Sequence, residues 1–306
     1  MLSDKVKKSL ERIKAFEPSE GYYLAFSGGK DSVVCKHLLD MAGVKYDATY
    51  RVTSVDPPEL VRFIKEHHPA VKREVPRYPV DYRNERLAGK PITMWNLIPE
   101  KVMPPSRHRR YCCAMLKESG GDGRVTVTGV RWAESKARKE NQGIVTIMSK
   151  TAQGELSGDG FQSTKRGGVV LVNDNDENRR MVEQCYRRHK TTLNPIIDWS
   201  DAEVWEFIKS ERIPYCSLYD EGFDRIGCIG CPLVNTKPRE AEFNRWPKYR
   251  QAYIRAFDMM LRERERRGLE TRAWQTAIDV YNWWMRNGVL YGQISFDDLE
   301  EDYEEQ

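Results

Sequence analysis

Apolar positions alternate between strand-like and helix-like spacing through the first half of the chain and settle into helical spacing alone near its end. An amphipathic stretch over about residues 3–16 predicts a first helix, and the run Tyr22-Tyr23-Leu24-Ala25-Phe26 predicts a strand directly after it. Val33, Val34, Leu38, Leu39 and Met41 then recur on one helical face. A second strand is expected over 46–52, a helix opened by Pro57 and Pro58 through Ile64, and a third strand over 71–75. Such alternation predicts an α/β fold, a doubly wound parallel sheet with crossover helices.

Periodicity weakens over 77–110, which is rich in proline and arginine and reads as irregular. A short helix is expected from about Cys113, and β-rich runs fall at 124–130, 144–148 and 169–172. Between the last two, residues 149–168 hold five glycines and few apolar residues, the pattern of a surface loop, a lid or a hairpin insertion. Ser200 and Glu203 form a capping-box pattern ahead of Val204, Trp205, Phe207 and Ile208. Further on, Trp246, Tyr249, Tyr253, Phe257, Met260 and Leu261 share one helical face, and Trp274, Ala277, Ile278, Tyr281, Trp284 and Met285 share the next. Helical spacing already accounts for both stripes, so they read as core. The expected organisation is a nucleotide-binding sheet domain over 1–235, a helical region over 236–296 and an acidic tail over 297–306.

With 306 residues and 40% hydrophobic content the chain can bury a sizeable core, and 31% charged residues make it water-soluble. No apolar run approaches the roughly 18 residues of a membrane span, and the opening MLSDKVKKSLERIKAF lacks the apolar stretch of a secretory leader. A cytoplasmic location without membrane attachment is expected. The net charge is +4, yet the last ten residues carry seven acids, so the remainder is distinctly basic and suits nucleotides or nucleic acid. Arg107, His108, Arg109 and Arg110, and again Arg187, Arg188, His189 and Lys190, are candidates to face phosphate, a solvated surface being the plain alternative. His37, His67 and His68 have no ligand-like spacing.

Between the first strand and the second helix stands Ser27-Gly28-Gly29-Lys30-Asp31-Ser32. Glycines let backbone N–H groups converge on an anion, and the helix N-terminus adds partial positive charge. Ser27 and Ser32 add hydroxyl donors, Lys30 a cation, and Asp31 a carboxylate for magnesium. The spacing is not that of a Walker loop. It resembles the SGGxDS signature of the PP-loop ATP pyrophosphatases, of adenine nucleotide α-hydrolase-like fold. That resemblance implies ATP as substrate, Mg2+ as its counter-ion and cleavage between the α- and β-phosphates.

Seven cysteines in an apparently cytoplasmic chain argue for metal or reactive thiols rather than disulfides. Cys112 and Cys113 are adjacent, and Cys228 and Cys231 form a C-x-x-C pair. Four thiolates suit zinc or an iron–sulfur cluster. Neighbouring side chains are hard to aim at one tetrahedral ion and reach two irons of a cluster more easily, so iron–sulfur is favoured over zinc, with unliganded thiols the third option. Cys35, Cys185 and Cys216 read as structural.

The same CC…CxxC arrangement is similar to that of the four-iron four-sulfur subset of the phosphoadenosine phosphosulfate reductase family. Thr128-Gly129-Val130-Arg131 with Glu134, Ser135 and Arg138 resembles that family's G-x-R-x-x-E-S-x-x-R stretch, and Asn194 to Trp199, Val204-Trp205 and Pro214 to Cys228 extend the likeness over about residues 20–235. The resemblance implies a nucleotide site of Ser27, Gly28, Gly29, Lys30, Asp31, Ser32, Gly129, Arg131, Glu134 and Arg138, with Lys30, Asp31 and Arg131 catalytic. Cys112, Cys113, Cys228 and Cys231 would hold the cluster. Sulfonucleotide reductases carry a degenerate loop and a catalytic cysteine near the C-terminus; here the loop is intact and no cysteine follows Cys231. The closer likeness is therefore to the ATP pyrophosphatase subunit of DNA phosphorothioation, with transfer-RNA thiolases related in chemistry. This implies sulfur transfer, a donor such as a cysteine desulfurase, DNA or RNA as acceptor, and admits a homodimer. The rival readings are a sulfonucleotide reductase, a sulfate adenylyltransferase-like enzyme and a nucleic-acid-associated binding protein without turnover.

Overall fold

The computed structural model describes residues 1–148, 156, 160–164, 168–172, 190–270 and 274–286. In chain order the first elements are α1 (Leu2–Ala15), β1 (Tyr22–Ala25), α2 (Lys30–Ala42), β2 (Tyr46–Arg51), α3 (Pro58–His67), β3 (Lys72–Glu74), α4 (Met94–Lys101) and α5 (Tyr111–Leu116). They are followed by β4 (Thr126–Val127), α6 (Lys136–Asn141), β5 (Val145–Met148), β6 (Phe161–Ser163), β7 (Val169–Leu171) and β8 (Lys190–Leu193). Last come α7 (Asp201–Ser210), α8 (Thr236–Arg245), α9 (Pro247–Arg266) and α10 (Ala277–Met285).

The residues group into two compact units, one of Met1–Arg51, Pro58–Glu74 and Gly120–Ile226, the other of Val52–Pro57, Val75–Ser119 and the chain from Gly227. A single boundary near 235 does not describe this grouping. The proline- and arginine-rich stretch places no strand in the sheet and instead supplies α4, which packs against α9. The acidic tail, the basic run Arg187-Arg188-His189, Cys185 and most of 149–168 lie outside the described residues.

In the first unit, β1 pairs in parallel with β2, Tyr22 opposite Tyr46, and with β4 on its other side. β3 and β8 continue the sheet in parallel beyond β2 and β4. The parallel alternation expected from the sequence holds this far. Beyond β8 the sheet runs antiparallel through β5, β7 and β6. Too few residues separate β6 from β7 for the crossover a parallel pair needs, so the chain returns as a hairpin. The chain runs outward from β1 to β2 and β3, then comes back to the far side of β1 as β4. The ends of β1 and β4 thus border a topological switch point, where open α/β sheets bind ligands.

Tyr22, Leu24, Val127 and Leu193 are buried in this sheet. Helix α1 is fixed by Arg12, whose guanidinium grips Asp198 at 2.8 and 3.2 Å, and α1 and α7 both pack on α2. The buried stripe of α2 passes through Cys35 as well as Val34, Leu38 and Leu39, while Met41, in the last turn before the left-handed Gly43, is exposed.

In the second unit α4 begins with a reciprocal cap between Thr93 and Asn96. Tyr253, Phe257, Met260 and Trp284 form a shared core of α9 and α10, as the aromatic stripes predict. Ile278 departs from the prediction at 49% exposure. Helix α10 starts only at Ala277, and its inward face runs through Val280, Tyr281, Trp284 and Met285. Among the described residues no helix is long and apolar enough to cross a membrane.

Candidate functional site

Two close-packed glycines shape the site, Gly28 in the turn after β1 and Gly129 after β4. Gly28 has φ +75°, and a Cβ there would stand 2.7–2.8 Å from the Ile64 and Leu60 side chains. Gly129, after β4, lies so close to the start of α2 that a Cβ would meet the Asp31 Cβ at 2.7 Å. The two strand ends are thereby drawn together at the switch point. Ser27 Oγ donates to Ser32 Oγ at 3.1 Å, and Ser32 Oγ to the Gly29 carbonyl at 2.9 Å. No side chain caps α2 at Gly29. First-turn N–H groups that a helix leaves unpaired are therefore available to an anion, except that of Lys30, which donates to the Tyr219 hydroxyl at 2.9 Å.

The Lys30 side chain is nearly buried: its Nζ lies 3.1 Å from Asp201 Oδ1 and donates to the Asp224 carbonyl at 3.0 Å. The rings of Tyr219 and Trp205 flank it at 5.4 and 5.9 Å. Arg131, 3% exposed, reaches Asp31 Oδ1 at 2.6 Å, Asp201 Oδ1 at 3.0 Å and the Trp199 carbonyl at 3.4 Å. Burial pushes the Asp31 carboxyl up, against the pull of Arg131 and Lys30. Burial also acts on Asp201, but its bonds to Lys30 and Arg131 outweigh it and hold that carboxyl low. Glu134 accepts from the Arg131 N–H at 3.0 Å and pairs with Arg138 at 2.8 Å. All ten residues expected at the nucleotide site thus lie in the first unit, and the Arg131 guanidinium is engaged by the Asp31 and Asp201 carboxylates. Sequence reasoning gave no role to Asp201, Tyr219, Trp205 or Asp224.

Cys112, Cys113, Cys228 and Cys231 all lie in the second unit, and none is in a disulfide. Cys113 beside it, burial, and the charges of Cys228 and Cys231 push the Cys112 thiol up. The contact with Cys112, aided by Arg110, draws the Cys113 thiol down. The charge of the Cys228 sulfur is the main cause that raises the Lys117 ammonium. Among the described residues no three His, Cys, Asp or Glu side chains gather tightly enough for a metal ion. Cys35 and Cys216 are buried with thiols raised by desolvation, consistent with structural roles. Arg107 donates to Pro232 O and Asn235 Oδ1. A cleft of about 700 Å³ in the second unit, bordered by Arg83, Arg86, Trp95 and Glu100, includes neither the loop nor a cysteine.

A sequence model of the phosphoadenosine phosphosulfate reductase domain matches residues 21–234. The chain belongs to this family. Among its relatives, an uncharacterised protein of Methanocaldococcus jannaschii is 26% identical over 75% of this chain and 38% of its own length. The adenosine 5'-phosphosulfate reductase of Geobacillus kaustophilus is 24% identical over 72% of this chain and 77% of that enzyme. The chain thus spans little more than a third of the first relative. A solved phosphate complex of phosphoadenylyl-sulfate reductase from Candida auris aligns with TM-score 0.40 and 13% identity, over 74% of this chain and 93% of that one. The family match ends just past Cys231, so α8 to α10 lie beyond it.

Proposed function

We propose that this family member binds ATP at the turn after β1 and cleaves it to AMP and pyrophosphate, activating an acceptor for sulfur transfer. The observation that carries the reading is the complete Ser27-Gly28-Gly29-Lys30-Asp31-Ser32 turn, shaped by Gly28 and Gly129 at the switch point. Backbone N–H groups of the turn and the hydroxyls of Ser27 and Ser32 bind the β- and γ-phosphates. Lys30 sets positive charge beside them, and Arg131 holds Asp31 in place. Preorganised charge of this kind supplies most of the rate in phosphoryl chemistry. Magnesium, when bound, offsets charge on the leaving pyrophosphate.

The four thiols, none of them in a disulfide and all in the second unit, carry the soft-ligand chemistry that a four-iron four-sulfur cluster takes. Cys112, Cys113, Cys228 and Cys231 would hold it, supplying a site that accepts or positions sulfur. A cysteine desulfurase is the proposed donor, nucleic acid the proposed acceptor, and the cytoplasm the proposed location.

A second reading, sulfonucleotide reduction, is favoured by the names of relatives such as the Geobacillus kaustophilus enzyme. Anaerobically purified full chain, given magnesium-ATP, DNA or transfer RNA, and a cysteine desulfurase with cysteine as sulfur donor, should release one pyrophosphate per acceptor adenylated and one AMP per sulfur transferred. ADP and orthophosphate, or thioredoxin-dependent sulfite release from a sulfonucleotide in place of ATP cleavage, overturns the proposal.

A further inference from the structure

One carboxylate oxygen at the candidate site serves two cations. Asp201 Oδ1 lies 3.1 Å from Lys30 Nζ and 3.0 Å from an Arg131 nitrogen, while the Asp201 side chain is 59% exposed. The cations are buried and the anion that joins them is open to solvent. Each cation also has a second anchor: Lys30 the Asp224 carbonyl, Arg131 the Asp31 carboxylate and the Trp199 carbonyl. Asp201 is the first residue of α7, but the cap of that helix is made by Ser200 and Glu203. The helix cap therefore does not use the Asp201 carboxylate, whose partners are Lys30 and Arg131. That carboxylate meets Lys30 Nζ at 3.1 Å from its solvent-facing side, as an anionic oxygen of a ligand could.

We infer that Asp201 is the affinity-setting residue of the site: its carboxylate stands in for a phosphate oxyanion on Lys30 and is displaced when a nucleotide polyphosphate enters. The inference rests on the proposal that the loop binds ATP. A ligand that must displace a resident partner binds more weakly by the free energy of that contact. The carboxylate lowers affinity, and in exchange keeps Lys30 poised.

The test is calorimetric titration of the full chain with inorganic pyrophosphate and with ATP. Asp201→Asn, and Asp201→Ala as a second variant, should bind both ligands roughly three- to tenfold tighter, the size expected for release of a partly exposed ion pair. Glu206→Gln removes the same charge from an exposed position on the same helix and should stay within about twofold of wild type. Unchanged or weaker binding by both Asp201 variants, or equal tightening by Glu206→Gln, overturns the inference and leaves the ATP site standing. Wild-type protein that binds neither ligand, or a Lys30→Ala variant that binds as well as wild type, removes the ATP proposal and the inference together.

Discussion

The hydroxyl of Tyr253 donates to the carbonyl of Ile229 at 3.0 Å, so a side chain of α9 grips the middle of the C-x-x-C turn. Glu242 of α8 accepts from the Gly230 N–H at 2.7 Å in the same turn. Helices beyond the family match thereby fix the geometry of Cys228 and Cys231. Gly230 has φ +73°, and a Cβ would stand 2.6 Å from Phe243 and 3.0 Å from Trp284. Gly230→Ala should destabilise the protein by about 2–4 kcal/mol through backbone strain and overpacking. Tyr253→Phe, losing one hydrogen bond, should destabilise it by about 1 kcal/mol. Urea unfolding followed by tryptophan fluorescence reads both; a Gly230→Ala midpoint equal to wild type would show that the aromatic floor yields freely.

Gly129 makes the corresponding demand at the nucleotide site. Its neighbour is the Asp31 backbone, 2.8 Å from an added Cβ, which cannot swing aside as a side-chain tip can. Gly129→Ala should push the start of α2 away from β4 and reduce ATP affinity by roughly tenfold or more, equivalent to about 1.4 kcal/mol. Circular dichroism should remain native-like. Native affinity in the variant would mean that the close approach plays no part in shaping the loop.

The loop was legible because its residue types carry a backbone requirement: Gly28 is needed for its left-handed φ, and the strand before and helix after it have clear periodicities. The capping box at Ser200 and the buried faces of α9 and α10 were legible for the same local reason. Asp201 was not. An exposed acid in the first turn of a helix is ordinary favourable chemistry for the helix dipole, and its partner Lys30 lies far away along the chain. The antiparallel extension and the grouping of Val75–Ser119 with the C-terminal helices are likewise set by tertiary packing, in segments whose own periodicity is short or weak.

His68 ties stability to pH. It sits between Phe26 and Phe63, ring centroids 4.9 and 5.1 Å away, at 8% exposure. Burial first, then Lys36 and His67, lower its pKa from 6.5 to about 4. The unfolded chain therefore takes up a proton near 6.5 that the folded chain refuses until about 4. Stability should fall as pH drops through that window and level off below it. His68→Phe should remove this part of the slope, which urea midpoints at pH 7, 5.5 and 4.5 would reveal as a difference from wild type that shifts in the variant's favour as pH falls. Parallel curves for the two proteins would sink the assignment.

Arg131 should govern the titration of Asp31. The carboxyl is already raised by burial, and Arg131 at 2.6 Å is the main charge opposing that rise. Arg131→Gln removes the opposition, so the Asp31 pKa moves further up. A carboxyl whose folded pKa exceeds its unfolded value stabilises the fold most below the unfolded pKa and loses that contribution as pH rises. The variant should therefore be destabilised by about 3–5 kcal/mol near neutrality, as for a broken buried pair, and by clearly less at pH 4. If ionised Asp31 is needed for turnover, the acid limb of kcat/KM for pyrophosphate release should shift to higher pH in the variant. Arg131→Lys should give an intermediate shift, because an ammonium keeps the charge but cannot span Asp31, Asp201 and the Trp199 carbonyl at once. An acid limb that stays fixed in both variants while stability drops would assign Arg131 to the fold alone.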